Sequence, residues 1–257
     1  MKFLVITDLH YSQRNIPGDE RQNYLSAEKL KNVIAEYADG CDFIMDLGDT
    51  ADCFTDLRSQ KESMGEIAEI LDSSSLPYHF LIGNHDTSLK KQDITRILSM
   101  PHRYYSFETD EYLCLVLDPN MNDVNVPYPE QEIEWAYTHL DDEQLRWMKE
   151  MIQNSEKDVL VFSHELMMLE SYDNINDHVI MNRDKALDIF ESSGKVKAVF
   201  TGHYHYGDYV KHNGISYLTF NSLCLYDDVT FAVVSIDNKK VTVEGHGRQK
   251  SMVFYLE

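Results

Sequence analysis

Two histidines end a strand-like run of the sequence near residue 200. In the stretch VFTGHYHYGDY, residues 199–209, a single tyrosine separates His203 from His205. Side chains at positions i and i+2 of an extended segment point the same way, so the two imidazoles can present nitrogens to one place. This arrangement is typical of metal ligands, although a motif this short also occurs by chance in loops. The rest of the sequence has to separate these two interpretations.

Metal-ligand side chains also follow other apolar runs of strand length. The runs and the residues after them are FLVIT at 3–7 with Asp8 and His10, DFIMDLG at 42–48 with Asp49 and Asp52, YHFLIG at 78–83 with Asn84, His85 and Asp86, DVLVFS at 158–163 with His164, and KAVFTG at 197–202 with His203 and His205. In open α/β sheets, binding sites assemble at the carboxyl ends of strands. We therefore predict that these residues converge on one metal site.

The elements that position these residues are predicted from hydrophobic patterning. Continuous apolar runs indicate strands that are covered on both faces. Between them, helical spacing predicts helices over 23–38, 61–72, 141–152 and 184–191. This alternation favours an α/β fold with helices over a largely parallel sheet, and we expect one domain over residues 1–257.

The C-terminal part of the chain has a different pattern. Two β-hairpins are predicted, one around Asn213-Gly214 and one around Asp237-Asn238. Two long irregular connections, 119–140 and 165–182, interrupt the regular elements. Long connections of this kind are often binding loops, so we expect them to contact the substrate.

The charge balance limits the classes of partner. The chain has 44 acidic and 23 basic residues, a formal net charge of −21, and no run of Lys or Arg stands out. Nucleic acid and anionic membrane surfaces normally require a clustered basic footprint, so neither is expected as a partner. A small anionic substrate remains compatible, because a bound divalent cation dominates the local field.

Cysteine usage and hydrophobicity bear on the cellular compartment. Cys41, Cys53, Cys114 and Cys224 are scattered without a CxxC pair and are expected to be reduced and mostly buried. Asp8 interrupts the apolar N-terminal run too early for a signal peptide, and no stretch approaches the ~20 apolar residues of a membrane span. We expect a cytoplasmic protein, and its oligomeric state stays open.

The ordered motifs resemble those of the calcineurin-like metallophosphoesterase superfamily. Its blocks D-x-H, GD-x-x-D, GNH[DE], a lone His and GH-x-H correspond to Asp8/His10, GDTAD at 48–52, GNHD at 83–86, His164 and GHYH at 202–205. The resemblance implies an α/β fold with a two-sheet β-sandwich flanked by helices, a four-layer α/β/β/α arrangement. It also implies two metals, one held by Asp8, His10, Asp49 and His205 and the other by Asp49, Asn84, His164 and His203.

The donor types agree with a centre of two divalent ions. Carboxylate, imidazole and amide ligands without a thiolate suit Mn or Fe, with Zn as a further candidate. If Asp49 bridges two cations ~3.5–4 Å apart, the pair can generate a hydroxide nucleophile for in-line displacement at phosphorus. By resemblance, His85 protonates the leaving oxygen or stabilises the transition-state charge.

Four further residues are weaker candidates. Asp52 or Asp86 is expected to orient a histidine, or else to complete a turn. Arg14 and Arg21 are candidates for a substrate phosphate, with solvated surface arginines as the alternative.

The substrate class is predicted from motif details. Protein phosphatases of the superfamily carry GD-x-V-D-R-G and GNHE, whereas this chain has GDTADCF and GNHD, which disfavours a phosphoprotein. The segments 103–118, 140–152 and 209–223 are similar to the branch containing bacterial cyclic-nucleotide phosphodiesterases and manganese-dependent ADP-ribose pyrophosphatases. We therefore expect a small nucleotide-like phosphodiester or pyrophosphate as substrate. A phosphomonoesterase on the same centre and a catalytically silent metal-binding scaffold are the alternatives.

Some residues near the motifs depart from the superfamily pattern or have no assigned role. Asp46 lies inside a strand that relatives usually keep apolar, and Glu165 directly follows His164. Tyr11, Tyr204 and Tyr206 lie beside the motifs and are candidates for stacking on a ring. With 16 tyrosines in the chain, the sequence does not single out one of them.

Overall fold

The computed structural model describes residues 1–14, 20–52, 57–121, 137–170 and 178–257. Cys53, residues 122–136 of the predicted substrate loop 119–140 and residues 171–177 of the predicted substrate loop 165–182 lie outside these ranges. The described strands are β1 (Lys2–Ile6), β2 (Phe43–Asp46), β3 (Tyr78–Phe80), β4 (Tyr105–Glu108), β5 (Tyr112–Val116), β6 (Asp158–Ser163), β7 (Val196–Thr201), β8 (Tyr206–His212), β9 (Ile215–Asn221), β10 (Phe231–Asp237), β11 (Lys240–His246) and β12 (Met252–Tyr255). The described α-helices are α1 (Ser26–Tyr37), α2 (Leu57–Asp72), α3 (Lys91–Ile97), α4 (Asp142–Asn154) and α5 (Arg183–Ser193).

The strands form two mixed six-stranded sheets. The first has the order β12-β11-β10-β1-β2-β3, in which β1, β2 and β3 are parallel and the other pairs are antiparallel. The second has the order β4-β5-β6-β7-β9-β8, in which β5, β6, β7 and β9 are parallel and the two edge strands are antiparallel to their neighbours. The two-sheet α/β fold expected from the family resemblance is therefore confirmed.

Hydrophobic patterning predicted only part of the observed fold. The strands predicted from continuous apolar runs are parallel within each sheet, but they belong to two sheets rather than one. The C-terminal hairpins add the expected antiparallel pairs, and β4 adds a further one. Both predicted hairpins are present, although the second turn has its left-handed residues at Asn238 and Lys239 rather than at Asp237. The elements α3, β4, β5 and β12 were not predicted, although the apolar run YLCLV could have indicated β5.

The core explains why the parallel strands are continuously apolar. In β5, Cys114 and Val116 face the other sheet, whereas Leu113 and Leu115 pack with residues of α4 and α5. Between the sheets, Phe3 of β1 stacks on Phe43 with ring centroids 4.9 Å apart and meets Phe162 and Phe200 edge to face. Both faces of the central parallel strands β1, β2, β5, β6 and β7 are thus buried, and the strand ends are left to carry polar residues. Across the described ranges, no helix combines the length and apolar character needed to cross a membrane.

Candidate metal centre

The candidate ligands follow the carboxyl ends of β1, β2, β3, β6 and β7. Neighbouring loops are joined there by backbone hydrogen bonds, from the Asp8 N–H to the Gly48 carbonyl (3.0 Å) and from the His10 N–H to the Asp49 carbonyl (2.8 Å). A third bond runs from the Gly202 N–H to the His164 carbonyl (3.1 Å) and links the two strand ends of the second sheet. The loops are therefore fixed to one another before any ligand binds.

Four candidate ligands have a left-handed backbone. Asp8, His10, Asp49 and His203 have φ values of 52°, 45°, 53° and 64°. Such conformations cost about 1–3 kcal/mol each for non-glycine residues and persist only where the surrounding structure imposes them, often at functional sites. Here they turn consecutive ligands of a loop toward the same point.

One glycine allows the loops to approach this closely. A Cβ atom at Gly83 would lie 2.2 Å from Asp49 Oδ1 and 2.3 Å from the Asp49 backbone nitrogen. A side chain at this position would therefore displace Asp49. This contact explains why glycine precedes Asn84 in the GNHD segment.

The first group of donors consists of Asp8, His10 and His205. His205 Nε2 lies 3.3 Å from Asp8 Oδ1 and 3.2 Å from His10 Nε2. Asp8 Oδ2 is engaged, because it accepts hydrogen bonds from the Thr7 hydroxyl (2.7 Å) and the His203 N–H (3.1 Å). Asp8 Oδ1 therefore remains available to bind a metal ion between the imidazoles of His10 and His205.

The second group consists of Asp49, His164 and His203, with Asn84 beside them. His164 Nδ1 donates to the Leu47 carbonyl at 2.6 Å, so its lone pair is on Nε2, which lies 3.1 Å from Asp49 Oδ2. The same Asp49 oxygen is 3.5 Å from His10 Nε2 in the first group. Asp49 Oδ2 thus lies between the two groups, as a bridging ligand would.

Unsatisfied polar atoms provide a test of whether metals fit here. The buried atoms without a hydrogen-bond partner among the described residues include five at this site: Asp8 Oδ1, both side-chain polar atoms of Asn84, His164 Nε2 and His203 Nε2. Buried polar atoms are normally paired, so this convergence of lone pairs calls for a cation. Oxygen and imidazole donors without thiolate fit two divalent transition-metal ions.

The electrostatics of Asp8 also suit cation binding. Burial disfavours its ionised form, but the neighbouring His205, with His10 and His164, outweighs burial and holds the pKa of Asp8 well below its usual range. The carboxylate is therefore ionised and ready to act as a ligand at neutral pH.

Asp52 connects the first metal group to His85. Its Oδ1 lies 2.8 Å from Nδ1 of His10 and 2.8 Å from Nδ1 of His85, and its Oδ2 accepts from the Asn23 amide at 3.0 Å. Burial opposes ionisation of this carboxyl, but His10 and His85 outweigh it and lower the pKa of Asp52 below its usual range. With Nδ1 of each imidazole held by Asp52, Nε2 of His10 is directed to the metal group and Nε2 of His85 is left for another partner.

The other weaker candidates, Asp86, Arg21 and Arg14, have different surroundings in the structure. Asp86 is a loop-holding residue, since its carboxylate accepts from the backbone N–H groups of Gly83, Thr50 and Ala51 at 3.0–3.3 Å. It therefore fits the turn-completing alternative and not the orientation of a histidine. Arg21 lines the cavity at the site, with Nη1 3.7 Å from Asp52 Oδ2, whereas Arg14 is exposed on the loop surface.

The departures from the superfamily pattern are buried beside the site. Asp46 and Glu165 are 1% exposed, and burial raises the pKa of Glu165 to about 8 and that of Asp46 well above its usual range. Asp46 caps the Gly48 N–H at 3.0 Å. Tyr11 is also buried, with its hydroxyl donating 2.7 Å to Glu66, so it is a packing residue.

The site opens into a cavity of ≈ 380 Å³. Its lining residues are Arg21, Asp49, Asn84, His85, His178, His203, Tyr204, His205 and Tyr206. Sequence reasoning gave no role to His178, which belongs to the predicted loop 165–182 and has no motif of its own. A metal group, a histidine held by a carboxylate and an arginine therefore meet at one opening.

Fold and site together define a two-sheet α/β protein with a candidate dinuclear metal centre. The family model for calcineurin-like phosphoesterases matches residues 1–207, and the chain belongs to this family. A protein named serine/threonine-protein phosphatase CPPED1, from Danio rerio, is 26% identical over 211 residues, which are 74% of this chain and 63% of that protein. This chain thus spans less than two thirds of that relative's length.

Solved structures show the same fold. A dimetal phosphatase from Danio rerio has a TM-score of 0.84 at 16% identity, covering 100% of this chain and 99% of that one. A purple acid phosphatase from yellow lupin (Lupinus luteus) has a TM-score of 0.66 at 12% identity, covering 99% of this chain and 52% of that one. The predicted branch within the superfamily stays a prediction.

Proposed function

We propose that this protein is a metal-dependent hydrolase of phosphoester bonds in a small molecule, a nucleotide-like phosphodiester or pyrophosphate. The observation that carries this proposal is Asp52, which joins His85 to the metal ligand His10 with two contacts of 2.8 Å. A pure metal-storage site has no use for a carboxylate-held imidazole at the cavity wall. A phosphoester hydrolase needs such a group to protonate its leaving oxygen.

The ligand groups divide the work between two metal positions. Asp8, His10, Asp49 and His205 would hold one divalent ion, and Asp49, Asn84, His164 and His203 the other. When bound, two such ions activate water as a nucleophile and stabilise negative charge on the phosphoryl oxygens. The donors suit Mn or Fe, with Zn as a further candidate.

His85 supplies the proton in this proposal. Its side chain is 22% exposed and lines the cavity, and Asp52 holds Nδ1. Nε2 can therefore donate to the oxygen of the departing group, while the Asp52 carboxylate fixes the orientation of the ring. Arg21 Nη1 lies 3.7 Å from Asp52 Oδ2, the oxygen that does not contact His85. The guanidinium provides a positive charge at the cavity wall for a phosphoryl oxygen of the substrate.

The substrate class follows from size and charge. A cavity of ≈ 380 Å³ suits a small ligand. A net charge of −21 disfavours nucleic acid and anionic membranes as partners. The motif similarity to the cyclic-nucleotide phosphodiesterase and ADP-ribose pyrophosphatase branch supports a nucleotide-like diester or pyrophosphate, and a cytoplasmic location accords with such a substrate.

A phosphomonoesterase is the second candidate function. The name of the zebrafish relative, a serine/threonine-protein phosphatase, favours it, and with it a phosphorylated peptide as substrate. The same centre serves both reactions, so the choice depends on what the cavity accepts beyond the phosphoryl group.

The test is hydrolysis of a substrate panel with added Mn²⁺ and with a chelator. The panel contains bis-p-nitrophenyl phosphate, p-nitrophenyl phosphate, ADP-ribose, cyclic AMP, a phosphoserine peptide and single-stranded DNA. We expect chelator-sensitive turnover that favours ADP-ribose, cyclic AMP or the diester. Preference for p-nitrophenyl phosphate or the peptide would replace our proposal with the phosphomonoesterase. No turnover by protein with both metals bound would favour the silent scaffold.

A further inference from the structure

A continuous row of rings leads from a candidate metal ligand to the surface of the cavity. The ring of His178 lies 5.2 Å from that of His203 and 5.3 Å from that of Tyr204, and Tyr204 meets Tyr206 edge to face at 5.7 Å. All four rings line the same cavity. One wall of the site is therefore aromatic from its metal end to its rim.

The outermost ring is exposed although its backbone is fixed. Tyr206 is 60% exposed, among the most exposed large hydrophobic side chains of the described residues. It begins β8 and pairs with Asn221, and the Gly207 N–H donates to the Tyr204 carbonyl at 3.1 Å in a tight turn. Gly207 has a φ of +69°, and a Cβ there would lie 2.4 Å from Asn221 Oδ1. The backbone of the tyrosine is thus held in place by the strand, and its side chain projects into solvent.

An exposed tyrosine ring on a fixed backbone beside a phosphoester site is suited to stack on a flat ligand. Its backbone is already ordered, so binding has to order only the side chain. Arg21 and His85 line the same cavity and are suited to a phosphoryl group. The lining therefore has separate parts for an anionic group and for a ring.

We propose that Tyr206, supported by Tyr204 and His178, stacks on the nucleobase of the substrate and selects nucleotides over sugar phosphates. This inference rests on the proposed function, since it places the phosphoryl group of the ligand at the metal centre. Tyr206 is then a specificity-determining residue that contacts the part of the substrate away from the reacting bond.

Product-like ligands isolate the base from the phosphate. AMP, CMP and ribose 5-phosphate share a phosphate and a pentose, and the first two add a base. Base–aromatic stacking is tolerant of base identity and is strong enough to change affinity by about 10-fold or more. The unsubstituted protein loaded with Mn²⁺ is expected to bind both nucleotides at least 10-fold more tightly than ribose 5-phosphate in calorimetry.

Substitutions assign this preference to one ring. Tyr206→Ala is expected to weaken AMP and CMP binding about 10-fold and to leave ribose 5-phosphate unchanged, whereas Tyr206→Phe keeps the preference. Tyr255→Ala is the matched control, because Tyr255 is 61% exposed on the edge strand β12. It should change none of the three affinities.

Three results would overturn the inference. They are equal affinity of the unsubstituted protein for nucleotide and sugar phosphate, no binding of any of the three ligands, and a Tyr206→Ala variant that keeps the preference. A failure of the proposed function is distinguishable, because it shows as absent metal-dependent hydrolysis in a protein that still prefers nucleotides.

Discussion

Histidines lie near both ends of the parallel strands, and their surroundings differ. His164 follows the carboxyl end of β6, where Asp49 lies 3.1 Å from its Nε2. His79 lies in β3 near the opposite end of the strands, stacked on Phe107 with ring centroids 3.6 Å apart and packed edge to face against Phe43. One imidazole is surrounded by carboxylates and the other by aromatic rings.

The two environments shift the histidine pKa in opposite directions. Burial disfavours the protonated form of both rings, and it lowers the pKa of His79 to about 4. At His164 burial acts in the same direction, but the neighbouring Asp49 outweighs it and raises the pKa to about 10. Burial alone therefore produces a neutral packing residue, whereas the carboxylates beside His164 supply the negative charge that favours a cation, and a bound metal would take the place of the proton on Nε2.

Cavity size is a poor guide to which end carries the chemistry. The opposite end has the larger cavity, ≈ 670 Å³, lined by His79, Phe107 and acidic residues such as Asp42 and Glu108. Asp42 is bound to the Lys2 N–H and Glu108 to Lys157. The smaller cavity has the converging side chains with unsatisfied atoms, so we assign the function to it.

The largest expected effect comes from removing the proton donor. His85→Ala should lower the rate for a nucleotide-like substrate about 10²–10⁴-fold, the usual contribution of general acid–base catalysis, while both metals stay bound. The loss should be much smaller for bis-p-nitrophenyl phosphate, because p-nitrophenolate departs with little need of a proton. Asp52→Asn should show the same dependence on the leaving group through His85 and should also weaken metal binding, because Asp52 holds the ligand His10.

Steady-state kinetics on both substrates, with elemental analysis for metal, check this prediction. His102→Ala is the control, because His102 is exposed and lies outside the site. Equal losses on both substrates would argue against proton donation and for charge stabilisation by His85.

A glycine substitution tests the close approach of the loops. Gly83→Ala should reduce metal affinity by more than 10-fold, because its methyl group would lie 2.2 Å from Asp49 Oδ1. Gly65→Ala in α2 has open space around the new methyl group and should instead stabilise the helix by about 1 kcal/mol. Metal titration and thermal unfolding of both variants distinguish these outcomes, and normal metal affinity in Gly83→Ala would contradict the geometry.

The smallest expected effect is a change in the pH dependence of stability caused by His79, which lies at the end of the strands away from the metal groups. The pKa of His79 is lowered from 6.5 to about 4, so the unfolded chain takes up this proton first as the pH falls. Stability from His79 is present above pH 6.5 and is lost between pH 6.5 and 4, which amounts to about 1–2 kcal/mol between pH 7 and 5.

His79→Phe keeps the ring stack and removes the titration. Urea unfolding at pH 7 and pH 5 should therefore show a smaller loss of stability in this variant than in the unsubstituted protein. Identical losses of stability in the two proteins would mean that burial does not lower the pKa of His79.

The convergence of the candidate metal ligands was predictable because their signal is local. Each candidate ligand directly follows an apolar run that the structure places in a strand, and strand ends meet at one edge of a sheet. The link from Asp52 to both His10 and His85 was not predictable from spacing, since it joins residues 42 and 33 positions apart in the chain. It depends on how two loops meet.

Choices between similar residues also needed the tertiary structure. Arg14 and Arg21 lie in one connection, yet only the second lines the cavity. Tyr11 and Tyr206 both lie next to motif histidines, but one is buried against Glu66 and the other is exposed at the rim. Residue type and spacing are equal in such pairs, and burial decides between them.

Anomalous diffraction from crystals of the Mn²⁺-loaded protein would show whether two metal ions share Asp49. We predict two peaks ~3.5–4 Å apart, with Asp49 between them and His164 and His205 on different ions. A single peak, or two peaks that do not share Asp49, would rule out the dinuclear centre proposed for this protein.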